Sequence, residues 1–245
     1  MTQPRVLFVT SECAPWIKTG GLGDVAGALP QAVARLGIEI TVLLPAYRSV
    51  LRQFDAARTL AEFAPTAHFP GARLLEARLA SAVRLWLVDC PPLYDRDGGP
   101  YGDEEGRDWD DNPLRFGLLG RVAAELACAA SPLAWRPNVV HCNDWQAGLA
   151  PAFLRFAREP LARTLMSVHN LVFQGIFEGD LAAALGLPPE SFSSAGVEYY
   201  GKFSFLKAGL SYADAIATVS PTYAAEIQQE PLGMGLQGLL SAFLP

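Results

Sequence analysis

Short apolar runs alternate with amphipathic ones along most of this chain, and the apolar runs stop at polar residues. Residues 5–10 (RVLFVT) lead into Ser11-Glu12, and residues 138–141 into Asn143-Asp144. Residues 164–168 lead into His169-Asn170, and residues 215–219 into Ser220. Runs this short and this apolar read as strands buried on both faces, because a helix needs more length. Strands alternating with helical segments predict an α/β domain, a parallel sheet with helices on both faces. Strand carboxyl ends share one edge of such a sheet, and ligands bind there. The four polar ends are therefore expected to gather around one crevice.

The first helix is expected over 24–36, with Val25, Ala28, Leu29, Ala32, Val33 and Leu36 on its apolar face. Pro30 lies inside it and marks either a kink or a first turn that begins later. Further strands are expected at 39–44, 73–79 and 83–88. Residues 89–113 read as a loop rich in Pro, Gly and acids, long enough to be functional or disordered. Helices are expected at 114–130 and 148–158, and around 206–209.

Between the first strand and the first helix stands KTGGLGD, residues 18–24. Gly20, Gly21 and Gly23 lack a Cβ, so backbone can approach a ligand closely there. Lys18, one of only three lysines, adds a positive charge. Backbone amides and one ammonium group suit a diphosphate; a solvated lysine on a glycine-rich turn is the alternative. The lysine precedes the glycines, so this is not the G-x-x-x-x-G-K-[ST] loop. The glycines start well after the strand, and no acid follows residues 39–44, which disfavours a dinucleotide site.

Composition narrows the partners. The apolar fraction is 51%, enough for a large core, and 25 acids against 19 bases disfavour nucleic acid as a partner. No apolar run reaches membrane-spanning length, and the amino terminus does not read as an export signal. Cys13, Cys90, Cys128 and Cys142 form no C-x-x-C pair, so reduced thiols in a cytoplasmic protein are expected. No H-x-x-x-H or H-E-x-x-H occurs, so no metal site is expected. The absence of G-x-S-x-G disfavours an α/β-hydrolase.

The run SECAPWIKTGGLGDVAGALPQAVARLG resembles the amino-terminal signature of bacterial glycogen synthases and plant starch synthases. LYDRDGGPYGD, WRPNVVHCNDWQAGLAPAFL, SVHNLVFQG and SPTYAAEI are similar to that family as well. The resemblance covers about 5–240. It implies a Rossmann-like parallel sheet with helices on both faces, the amino-terminal lobe of a GT-B glycosyltransferase. Residues 1–245 are then the catalytic, acceptor-side domain, and the carboxy-terminal nucleotide-binding lobe is expected as a missing partner.

The implied reaction is retaining transfer of glucose from the sugar nucleotide ADP-glucose to the non-reducing end of an α-1,4-glucan acceptor, with no separate cofactor. A non-catalytic glucan-binding or regulatory module is the alternative. By resemblance, Lys18, Asp144 and His169 are the catalytic candidates. Lys18, Thr19, Gly20, Gly21, Glu12, Tyr101, Asn170 and Gln174 are the candidates for holding donor or acceptor. His169 sits where the family places a histidine that bonds the transferred glucose.

Other readings of the same residues stay open. Asp144 also suits a helix cap for the run beginning at Gln146, and Glu12 a solvated loop acid. His141 reads as a core histidine, His68 as a solvated one. Within 89–113, Tyr94, Tyr101 and Trp109 are candidates for stacking on pyranose rings, against a plain solvated acidic loop.

Overall fold

The computed structural model describes residues 3–54, 56–79 and 81–242. Eight strands form the main sheet: β1 (Arg5–Val9), β2 (Glu39–Pro45), β3 (Ala57–Phe63), β4 (Ala72–Ala77), β5 (Arg84–Asp89), β6 (Val139–Asn143), β7 (Arg163–Val168) and, later in the chain, β11 (Ala215–Thr218). Their order is β11-β7-β6-β1-β2-β5-β4-β3. β8 (Ile176–Phe177), β9 (Glu198–Tyr199) and β10 (Lys202–Ser204) make a small antiparallel sheet. The chain winds outward from β1 in both directions, so the sheet reverses its winding between β1 and β6, where crevices form in such sheets. Leu7, Phe8 and Val9 are fully buried, as a central strand covered on both faces requires.

From β11 to β5 the pairing is parallel, but β4 is antiparallel to both β5 and β3. The sheet is therefore mixed, with an antiparallel edge that the sequence reading missed. β3 (ARTLAEF) buries only Phe63 fully and exposes Arg58, Thr59 and Glu62, so it lacks the apolar run that marks the buried strands. Arg58 and Glu62 on this outer strand guard it against pairing with other chains.

The first helix begins at Gly21, inside the glycine run, and continues through Pro30 to Arg35. Proline has no N–H for the carbonyl of Ala26. The Cys13 thiol donates to that oxygen instead, at 3.3 Å. Burial pushes this thiol up to about 12, so it keeps the proton it donates. The helix expected at 114–130 spans Asn112–Leu126 and is buried nearly all round. The one expected at 148–158 spans Leu149–Arg155, and a separate helical turn, Asp144–Ala147, precedes it across Gly148.

Gly148 is where this pair crosses the helix Phe205–Tyr212: a Cβ there would stand 2.1 Å from the Phe205 carbonyl oxygen. Gly148→Ala is expected to lower stability by roughly 3 kcal/mol, since backbone must move to admit the methyl; urea unfolding measures it. All four cysteines are free and buried. No helix among the described residues is long and apolar enough to cross a membrane.

Candidate functional site

A cleft of about 650 Å³ opens where β1, β6 and β7 end. Eight of the ten residues expected at a site line it. Glu12, Thr19, Gly20 and Gly21 come from the segment after β1, Asp144 follows β6, and His169 and Asn170 follow β7. Tyr101 reaches in from the long segment after β5.

Glu12 is no solvated acid; it is 3% exposed. Oε2 accepts from the N–H groups of Thr19 (2.6 Å) and Gly20 (3.1 Å), and Oε1 accepts from the Thr19 hydroxyl (2.7 Å). The Tyr101 hydroxyl also donates to Oε1, and Ser11 Oγ lies 2.8 Å from the same phenol oxygen. One carboxylate thus ties the glycine loop to a residue 89 positions away. It also occupies the Gly20 amide that the sequence reading offered to a diphosphate.

Tyr101 is held from behind. Arg115, fully buried, donates from Nη1 to the Pro100 carbonyl and to Asn112 Oδ1, and from Nε to the Leu93 carbonyl. Asn112 Nδ2 donates to the Tyr101 carbonyl at 2.8 Å. The sequence reading missed both residues; the visible clue was Arg115 standing among Leu114, Phe116, Leu118 and Leu119. The segment 89–113 is built rather than loose. It contains the helix Pro91–Tyr94, and Arg48 pairs with Asp95 and Asp97. Arg96 pairs with Asp111, and Arg107 with Asp103 and Glu105. Tyr94 is buried and donates to the Arg115 carbonyl, so it has no ring face for a sugar.

Asp144 is the first residue of its helix and has φ 53°, a left-handed conformation uncommon for a residue with a side chain. It does not cap that helix. Its Oδ1 accepts from the His169 N–H at 2.7 Å, joining the ends of β6 and β7. Burial raises its pKa, opposed by His169 and by the N–H groups of His169 and Asn170.

Asn143 fixes the His169 ring. Its Nδ2 donates to the carbonyls of Val9 and His141, so its Oδ1 must accept, and His169 Nε2, 3.2 Å away, carries the proton. Nδ1 is then an acceptor, with no hydrogen bond to the described residues.

Lys18 and Gln174 lie outside the cleft lining. Lys18 Nζ bonds both oxygens of Asp24, at 2.7 and 2.6 Å, with both side chains about half exposed. Gln174 is buried, and its Nε2 donates to the Met234 carbonyl. Trp145, Gln146, Asp108 and Phe173 also line the cleft, with Leu22, Val25 and Val219.

His141 lies behind the site, 2.7 Å from Ser167 Oγ, with Phe8 against its ring edge. Burial, aided by the charge of His169, lowers its pKa from 6.5 to about 4. Between those values the unfolded chain binds a proton that the folded chain does not. Stability therefore falls as pH drops through that window and levels off below it. The gap from 6.5 to about 4 amounts to roughly 3 kcal/mol. Urea unfolding at pH 7 and pH 4 is expected to show a decline smaller by about that amount in His141→Gln.

A doubly wound α/β domain with its cleft at the winding reversal, matching half of a solved starch synthase domain, places the chain in a class: one lobe of a GT-B glycosyltransferase. The catalytic domain of starch synthase IV from Arabidopsis thaliana, bound to ADP and acarbose, superposes with a TM-score of 0.81 at 25% identity. That match covers 99% of this chain and 50% of the other. Sucrose-phosphate synthase from Thermosynechococcus elongatus shares the fold at a TM-score of 0.51 and 13% identity, over 92% of this chain and 45% of its own.

The family model of the starch synthase catalytic domain matches residues 5–242, and the chain belongs to that family. The glycogen synthase of Aromatoleum aromaticum is 59% identical over 96% of this chain and 48% of its own length. That of Nitrosospira multiformis is 55% identical, with the same coverage. The chain spans about half the length of the curated relatives it matches.

Proposed function

We propose that this chain is the acceptor-side lobe of an ADP-glucose-dependent α-1,4-glucan synthase of the cytoplasm. In this reading it works with a second lobe of the kind its relatives' remaining length provides. The observation that carries the reading is the shared rim, where Glu12 with the glycine loop, Asp144 and His169 face one cleft wide enough for a sugar. The relatives named glycogen synthase, and the ADP and acarbose held by the starch synthase IV domain, support a sugar nucleotide and a glucan as its ligands.

The leaving group is a diphosphate, so negative charge grows there as the glucosyl bond breaks. The N–H groups at the start of the helix Gly21–Arg35 and the Lys18 ammonium stabilise it. Lys18 reaches it by leaving Asp24, an exposed pair worth roughly 0.2–1 kcal/mol. His169 holds the transferred sugar through Nδ1, the ring nitrogen that has no partner among the described residues. Asp144 accepts from the sugar or fixes the His169 backbone, and Tyr101 and Asn170 border the acceptor. Gln174 acts from behind, shaping the turn that follows His169.

Transfer of labelled glucose from ADP-glucose to glycogen, by this chain fused to the carboxy-terminal half of the Aromatoleum aromaticum relative, tests the reading. In that fusion His169→Ala is expected to lose transfer by roughly 10²-fold or more, as removal of a group that bonds the reacting sugar does. Undiminished transfer removes His169 from the site.

A further inference from the structure

We propose that the Gln146 carboxamide reads a hydroxyl group of the bound sugar, which deepens the reading above and rests on it. Gln146 lines the cleft and is only 5% exposed, yet its side chain makes no hydrogen bond to the described residues. Its Oε1 is fully enclosed and without a partner. Buried amides are nearly always bonded, so this one is out of the ordinary.

The other amides nearby are engaged through at least one end, whereas Gln146 makes no side-chain bond to the described residues at either. Asn143 bonds through both ends, Asn170 Oδ1 accepts from the Val172 N–H, and Gln174 Nε2 donates to the Met234 carbonyl although its Oε1 is unpaired among the described residues. The backbone that carries Gln146 is fixed, with Asp144 tied to the His169 amide before it and the fully buried Ala147 after it.

A primary amide donates and accepts, and half a turn about its last bond exchanges the two ends. A sugar hydroxyl also donates and accepts, so it satisfies either end. The neighbouring Trp145 also lines the cleft, its ring packed among Phe116, Phe177 and Phe205. The hydroxyl belongs either to the acceptor glucan or to the glucosyl group of the sugar nucleotide.

Nuclear magnetic resonance on residues 1–245 tests this, with maltotetraose and ADP-glucose titrated separately. The Gln146 side-chain amide signals are assigned by their absence from Gln146→Met. We expect one of the two ligands to shift those signals, and that ligand identifies the source of the hydroxyl. Gln146→Met is expected to weaken the same ligand by roughly tenfold or more. Its urea midpoint should be unchanged or higher, because the substitution removes an unpaired buried amide and keeps the shape.

The proposal is overturned if ligand shifts the backbone signals of Gly20, Gly21 and His169 but leaves the Gln146 amide unmoved. Wild-type affinity in Gln146→Met overturns it too, as does a loss of affinity that merely follows a fall in stability. If neither ligand shifts any cleft signal, in residues 1–245 or in the two-lobed fusion, the sugar-transfer reading fails, and this proposal falls with it.

Discussion

Lys18→Ala is expected to lower glucosyl transfer by roughly 10²-fold or more in the two-lobed fusion, with a much smaller change in KM for the sugar nucleotide. The ground state carries a diphosphate already esterified to glucose, whereas the transition state loads further charge onto its leaving oxygen. One ammonium group placed there acts mainly on turnover. In the structure that ammonium group is held by Asp24 at 2.6 Å, on the first turn of the helix Gly21–Arg35. Asp24→Asn releases Lys18 without removing it and is expected to leave most of the turnover. Initial rates with labelled ADP-glucose measure both variants. Wild-type turnover in Lys18→Ala would return Lys18 to the solvated role that its exposure also allows.

Glu12→Ala should be damaging in a different way, through the architecture of the loop. It deletes the acceptor of four hydrogen bonds and leaves the amides of Thr19 and Gly20 facing a cavity. A loss of roughly 2–4 kcal/mol is expected, since buried donors lose a charged partner together. Glu12→Gln should be milder. Its oxygen can face the two backbone amides, while its NH2 meets the hydroxyls of Thr19 and Tyr101, each able to accept. Urea unfolding of the two variants separates hydrogen bonding from charge. Equal losses would mean that the carboxylate charge, not the bonding pattern, holds the loop.

The strands that build the cleft were legible because burial on both faces demands continuous apolar runs. β1, β6 and β7 show this, and their polar ends foretold a shared rim. β3 was not legible: an exposed edge strand bonds through its backbone, and its side chains carry no such pattern. At the site, residue types near strand ends could be read, but their partners could not. Nothing local to Glu12 announces Tyr101, and nothing near Asp144 announces that it bonds the His169 amide rather than capping its own helix. Lys18 and Asp24 sit six apart across a loop-to-helix junction, so their pairing depends on where the helix begins. Tyr94 and Tyr101 look alike in sequence. Burial beneath Arg115 removes the first from any ligand, and the Glu12 contact brings the second to the cleft wall.

The central claim is a division of labour: this chain supplies the sugar-handling rim, and a second lobe closes the cleft over it. Closure matters because transfer to a hydroxyl competes with water unless the site is sealed. The most direct measurement compares residues 1–245 alone with the fusion, counting labelled glucose transferred from ADP-glucose to glycogen. The account predicts no measurable incorporation by residues 1–245 and steady incorporation by the fusion, abolished by His169→Ala. Robust synthesis by residues 1–245 alone, or a folded fusion that transfers nothing, would contradict it.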